Sequence, residues 1–379
     1  MPLVLNEEQR MLRDTAREFL QSNAPIDLLR TLRDEDDPAG YSEAVWQKMV
    51  EMGWPAIAID EAYGGLGFGY VGLGAVVEEC GRTLVGTPFF GSVILSASII
   101  SLGGSEAQKQ QYLPNIAAGQ SKLALAHEET HHHNPLGAAL LAKADGEDFV
   151  LSGAKVFVAD GTIADHIIVS ARTAGQAGDE NGISLFILDR QTEGVSATLT
   201  RMIDSRNCAR IHFDNVRVNK AQLIGELDNG FTILDQALDR GRICLAAEML
   251  GGCQVMFDQT IEYLKDREQF GKKIGSFQAL QHRAAIMFAE LEQTRSVVAA
   301  ALPAIDEQSD ETALLASMAK IKANDTFDLI TSEAVQMHGG IGVTDEMNIG
   351  FYFKRARLTI HRLGDSGFHR DRFASINGY

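Results

Sequence analysis

The chain has 379 residues, 45% of them hydrophobic, which is enough for a large core and suits two or three packed units. Lys and Arg number 34 against 51 Asp and Glu, a formal charge of −17, which argues against nucleic acid as a partner and against a polybasic membrane patch. The four cysteines (Cys80, Cys208, Cys244, Cys253) form no CxxC pair, so a reducing cytoplasm is expected; no apolar run reaches the ~18 residues of a membrane span, and early acids at Glu7 and Glu8 leave no signal peptide apparent.

The first zone, 1–120, reads as mostly helical. Asn6 and Gln9 form a capping box, and Leu12, Ala16, Phe19 and Leu20 share one helical face behind it. Helical patterns recur around 42–52, 70–82, 91–102 and 105–118. The second zone, 121–228, changes character. Short β-branched or alternating runs fall at Ala138–Ala144, Phe149–Leu151, Lys155–Val158, His166–Ser170, Ile183–Leu188 and Ala209–Phe213, punctuated by Asp145-Gly146 and Asn181-Gly182. An antiparallel barrel or sandwich is expected there. The third zone, 229–379, returns to long helical patterns near 229–265, 276–302, 311–337 and 345–362, as in an antiparallel bundle.

Two local patterns point elsewhere. Gly67-Phe-Gly69-Tyr-Val-Gly72 matches the GxGxxG of dinucleotide sites, but such a site needs an acid about 20 residues on, and 81–105 holds no Asp or Glu. His131, His132 and His133 follow His127, Glu128 and Glu129, and imidazole with carboxylate suits a metal. Consecutive residues of an extended chain point in different directions, however, so a solvated loop is expected rather than a metal site.

Two segments of the third zone carry the most chemistry. The first runs Arg267-Glu-Gln269-Phe270-Gly271-Lys-Lys-Ile-Gly-Ser-Phe277-Gln278. Arginine offers a rigid fork of donors for a pyrophosphate, and a glutamine offers a two-sided amide for a nucleotide edge. The second runs Gln336-Met-His338-Gly339-Gly340-Ile-Gly342, whose glycines allow close approach of backbone N–H groups to a phosphate. In order and spacing the pair resembles the C-terminal half of the acyl-CoA dehydrogenase family, where both segments grip the FAD of a neighbouring subunit. Tyr63-Gly64-Gly65-Leu66-Gly67 is similar to the family's glycine-rich loop.

The resemblance implies an α+β fold: an N-terminal helical domain, a middle antiparallel β domain and a C-terminal four-helix bundle. It implies FAD as cofactor, held by Arg267, Gln269, Phe270, Gln278, Gln336, Gly339 and Gly340. It also implies an acyl-CoA substrate oxidised between its α and β carbons, and an electron-transfer flavoprotein as acceptor.

The sequence also departs from the family. The family's base is a glutamate, either near the C-terminus or on the first bundle helix before an arginine. Ungapped alignment puts Leu363 at the first position; Arg242 matches the arginine, but Gly241 precedes it. Arg242 remains a candidate to hold the CoA arm, and Glu248 and Asp365 are the nearby carboxylates left as candidate bases, although neither has the expected reach and a surface or structural role is the default for each. On the flavin side His127 stands where the family has threonine. Lys155-Val-Phe157-Val-Ala159 resembles the strand whose aromatic ring walls the flavin, with alanine replacing a hydroxyl.

Such a pattern is similar to the "small subunit" group named after pimeloyl-CoA dehydrogenase, in which one of two unlike subunits has lost its base. Three readings stay open: a base-lacking subunit with a separately encoded partner, a self-associating enzyme with a relocated base, or a non-enzymatic acyl-CoA or partner-binding protein.

Overall fold

A computed structural model describes residues 5–379. Among the described residues six α-helices precede the sheet: α1 Glu7–Asn23, α2 Ile26–Asp34, α3 Glu43–Glu51, α4 Gly69–Thr83, α5 Ala97–Gly103 and α6 Glu106–Ala117. Eight strands follow: β1 Leu123–Ala126, β2 Leu141–Asp145, β3 Asp148–Ala159, β4 His166–Arg172, β5 Ile183–Asp189, β6 Val195–Leu199, β7 Cys208–Val218 and β8 Leu223–Ile224. Then come α7 Gly230–Asp266, a small hairpin of β9 Glu268–Gln269 and β10 Lys272–Lys273, and α8 Gln278–Asp306, α9 Thr312–His338, α10 Ile349–Thr359 and α11 Ser366–Ile376. This is an N-terminal helical part, a middle β domain and a C-terminal helical bundle. No helix among the described residues is long and apolar enough to cross a membrane.

The chain clusters into two compact units, divided within α7 after Gly241. One comprises the residues through Leu28, Tyr70–Val85 and Arg242–Tyr379; the other comprises Leu29–Gly69 and Gly86–Gly241.

In the second of these the sheet runs β6-β7-β3-β2-β4-β5-β8, with β1 paired to β4. Most pairs are antiparallel, but β1 runs parallel to β4, as β2 does at Leu141↔Arg172, so the sheet is mixed. A two-residue turn with Gly146 at φ +66° joins β2 to β3 and sets their register at Asp145↔Asp148. β4 and β5 are buried almost end to end, which is why their sequences are largely apolar rather than alternating; β7 alternates because one face is exposed. Leu151, Val169, Phe186, Leu188, Ile211 and Val216 form the centre of this core, each worth about 1.5–3 kcal/mol on burial.

The Asn6–Gln9 capping box is present: Asn6 Oδ1 accepts from Gln9 N at 2.8 Å and Gln9 Oε1 accepts from Asn6 N at 3.0 Å. The helical pattern at 91–102 resolves into two kinds of helix, since Phe89–Ser96 winds as a π-helix and only Ala97–Gly103 is α. Ser96 Oγ donates to Gly91 O at 2.7 Å across that widened turn, so the hydroxyl satisfies a carbonyl of the wide turn. The GxGxxG pattern opens α4, and no strand precedes it among the described residues, so the context of a dinucleotide site is absent.

In the other unit α9 packs against α8, α10 and α11. Two glycines set the approach of α4 to α7. A Cβ on Gly81 would lie 1.9 Å from Glu248 O, and one on Gly251 would lie 1.9 Å from Glu78 O.

Candidate functional site

The segment after α7 is a tight hairpin with Gln269 paired to Lys272 and Glu268 to Lys273. Its tip carries Phe270 at φ +55° and Gly271 at φ +76°. A phenylalanine in the left-handed region is unusual, and this one is 90% exposed. Arg267 and Gln278 are also exposed, at the two ends of the turn, and Arg267 O accepts from Ile274 N at 2.9 Å to close it. The Arg267 guanidinium makes no ion pair or hydrogen bond among the described residues. Gln269 is partly occupied, donating to Glu268 O at 2.7 Å.

The second glycine segment lies beside this turn. α9 ends at His338, and Gly339, at φ +65°, breaks it into a short 3₁₀ turn. Tyr263, near the end of α7, stacks on His338 with ring centroids 4.2 Å apart and donates from its hydroxyl to His338 O at 3.3 Å. Burial holds the His338 pKa below its ordinary value, and its Nδ1 donates to Ala334 O at 2.7 Å. Gln336, Gly339 and Gly340 are exposed, and open space surrounds both glycines where a Cβ would stand. Tyr263, one turn before Arg267, therefore sets the end of α7 against the second segment, and the named residues of both segments are exposed.

The two candidate carboxylates are otherwise engaged. Arg355, on α10, grips Glu248, on α7, in a fork: Nε donates to Oε1 at 2.9 Å and Nη2 to Oε2 at 3.0 Å, with both side chains buried. Asp365 is the N-cap of α11, accepting from Phe368 N at 2.8 Å. Sequence reasoning assigns each a surface or structural role by default but shows neither partner. The Glu248 partner lies 107 residues away; the Asp365 cap could have been found, because an Asp ahead of a short helix is a local signal.

Leu363 is buried at φ +58°, and its carbonyl accepts from His369 Nε2 at 2.9 Å and from Arg242 Nε at 3.4 Å. Arg242 is fully buried beside the Phe368 ring. Near it Lys320 is also fully buried, donating to Asn324 Oδ1 at 2.6 Å and to Thr359 O at 2.8 Å, where it satisfies a carbonyl at the end of α10. Burial, and then the charges of Arg242, Arg362 and Arg355, push its pKa well down against the pull of Asp365.

In the β-rich unit Phe157 sits on a bulge of β3, where the register with β7 slips between Lys155 and Val158. Its φ of +52° and its exposure show a ring turned out of the sheet. Two residues back, fully buried Lys155 donates to Glu129 Oε1 at 2.7 Å, Ser170 Oγ at 3.1 Å and His127 O at 3.2 Å. His131 and His132 are exposed, as a solvated loop requires, but His133 turns inward.

His127, Glu128 and His133 converge. His127 Nε2 lies 3.1 Å from Glu128 Oε1, which His133 Nδ1 also contacts. Burial alone would raise the Glu128 pKa; His127 and His133 instead hold it far below the usual carboxylate range.

Comparison with known proteins agrees along the whole chain. Family models described as "Acyl-CoA dehydrogenase, N-terminal domain", "middle domain" and "C-terminal domain" match residues 6–120, 127–216 and 228–375. The chain is 31% identical over 374 residues to the mitochondrial short-chain specific acyl-CoA dehydrogenase of Bos taurus, covering 97% of this chain and 89% of that protein. It is 31% identical over 363 residues to the caffeyl-CoA reductase-Etf complex subunit CarC of Acetobacterium woodii, covering 94% of each. Among solved structures, butyryl-CoA dehydrogenase from Megasphaera elsdenii matches with a TM-score of 0.90 at 26% identity over the full length of both chains.

Proposed function

Because the chain belongs to the acyl-CoA dehydrogenase family, whose members are FAD-dependent flavoproteins, we propose that it is the base-lacking, small-type subunit of a hetero-oligomeric acyl-CoA dehydrogenase. The observation that carries this is the state of its carboxylates. Gly241 and Leu363 stand where the family resemblance puts the base, and the two candidate carboxylates, Glu248 and Asp365, are committed elsewhere. Glu248 is locked by Arg355, and Asp365 caps α11. A general base must reach a substrate proton at hydrogen-bond distance, and neither group is free to do so.

The exposed end of the bundle fits FAD by its chemistry. Arg267 offers an unpaired guanidinium to a pyrophosphate, Gln278 and Gln336 offer amides, Gly339 and Gly340 offer unobstructed backbone, and Phe270 offers an aromatic face. Their exposure supports a role toward a neighbouring subunit, which such a cofactor would bridge. Phe157 and His127 are the residues proposed on the chain's own flavin side, and Arg242 is proposed to order the CoA-binding end through the Leu363 carbonyl. FAD, when bound, accepts the β-hydrogen of the acyl chain as hydride. The relation to CarC, a subunit of a reductase–Etf complex, supports an electron-transfer flavoprotein as the acceptor.

The test is turnover of acyl-CoA thioesters with an artificial electron acceptor, by the chain alone and mixed with a base-containing homologue. The chain alone should be ~10²–10⁴-fold slower than an intact dehydrogenase, the usual worth of a positioned base. Leu363→Glu or Gly241→Glu should raise its rate if its own flavin side is occupied. Full turnover by the homogeneous wild-type chain would overturn the proposal in favour of a relocated base. Absence of flavin and of turnover, even on mixing, would favour a binding protein.

A further inference from the structure

We propose that His127, Glu128 and His133 form a binding site for one first-row divalent cation of the zinc class. The strand β1 ends at Ala126, and the next two residues supply an imidazole and a carboxylate. The chain then bends through Thr130–His132, where Thr130 Oγ1 donates to His132 O at 2.9 Å, and the bend returns His133 to the same point. One donor atom from each residue lies within 4.8 Å of the others. A cation about 2.0–2.2 Å from nitrogen and oxygen ligands holds them a little closer than that, so small side-chain adjustments close the site.

Three features separate this cluster from a chance meeting of polar groups. The first is burial: His127 is 8% exposed and the His133 side chain 2%. The second is an orphaned donor set. Among the described residues His127 Nδ1 has no hydrogen-bond partner, and Nε2 meets only Glu128 Oε1, at 3.1 Å and without well-directed hydrogen-bond geometry. A buried imidazole with one nitrogen unpartnered and the other only loosely set against a carboxylate carries a desolvation cost that a metal bond would reduce. The third is support from behind. His127 O accepts from Lys155 Nζ at 3.2 Å, and Glu128 O accepts from Val156 N at 2.8 Å, so β3 fixes both backbones. Two imidazoles and one carboxylate suit zinc or ferrous iron better than magnesium or calcium, which prefer oxygen alone. With three protein ligands, a fourth position remains for water or a small anion.

The proposal shares His127 with the flavin side of the dehydrogenase reading, but its test reads metal binding and needs neither turnover nor bound flavin. The experiment uses full-length holoprotein without a histidine tag, stripped with chelator and titrated with Zn²⁺ by calorimetry and metal analysis. One Zn²⁺ per chain is expected. His133→Ala and Glu128→Gln should each weaken binding at least about tenfold, while the double substitution His131→Ala with His132→Ala should leave stoichiometry and affinity unchanged. Co²⁺ in the wild-type protein should give the visible bands of a low-symmetry nitrogen–oxygen site, a readout that does not depend on any variant folding. Substoichiometric Zn²⁺ without such bands, or equal affinity in wild type, His133→Ala and Glu128→Gln, would overturn the proposal and leave an imidazole–carboxylate–imidazole hydrogen-bond chain.

Discussion

Replacing Glu248 by glutamine should destabilise the bundle rather than act on chemistry. The Arg355–Glu248 fork has two charge-assisted bonds at 2.9 and 3.0 Å, and the side chains are 2% and 8% exposed. Removing one partner of a buried pair leaves the other charge uncompensated and costs about 3–5 kcal/mol. Glutamine keeps the size and one acceptor oxygen, so the lower end applies. The unit that contains the pair has roughly 180 residues, and in a unit of that size each kcal/mol moves Tm by about 2–4 °C. The expected drop is therefore about 6–12 °C, read by thermal melts followed with circular dichroism. The pair Glu248→Leu with Arg355→Met should recover much of it, because an apolar pair of similar volume leaves no stranded charge. An unchanged Tm together with lost turnover would refute the structural assignment and make Glu248 the base.

Two further outcomes can be measured on the same protein. Arg267→Ala should lose at least about tenfold in FAD retention through gel filtration, since it removes charge-assisted bonds of about 1.5–3 kcal/mol; equal flavin per chain in variant and wild type would count against the exposed bundle end as a cofactor site. Lys320 has a folded-state pKa well below its ordinary value, so the unfolded chain binds the extra proton in the window between the two. Stability from this group must then rise with pH across that window, no more steeply than about 1.4 kcal/mol per pH unit. Melts from pH 7 to 10 should show wild type gaining on Lys320→Met as pH increases, and a constant difference would reject the buried, depressed lysine.

What could be read in advance follows the range of each interaction. The Asn6–Gln9 capping box and the Gly146 turn involve residues within three or four positions, and both are present. β4 and β5 were legible because burial on both faces favours a largely apolar run. Phe149–Leu151 and Lys155–Val158 appeared as two strands but are one, because Ser152-Gly153 breaks the pattern without breaking the ladder. β1, β6 and β8 were not foreseen; the four apolar residues of β1 and the two of β8 carry no periodicity to recognise, whereas Val195–Leu199 of β6 does alternate and was missed. The site shows the same division. Glycine-rich and arginine segments are visible as strings, whereas the Arg355–Glu248 grip and the inward turn of His133 depend on chain reversals that no local pattern encodes.

The crossing of α4 and α7 has one more consequence. Main chain meets main chain at Gly81 and Gly251, with no cushion of side chains between the two rods. If α4 slid by one residue, Cys80 or Arg82 would face the Glu248 carbonyl; if α7 slid, Leu250 or Gly252 would face Glu78. Three of those four shifts are sterically barred, so the joint behaves as a rivet rather than a bearing. The same residue, Glu248, is fastened at both ends, its carbonyl against Gly81 and its carboxylate in Arg355. Two chemically inert glycines thereby become positions where even a methyl group would force the helices apart, and their replacement should be harder to tolerate than that of most charged residues on the surface.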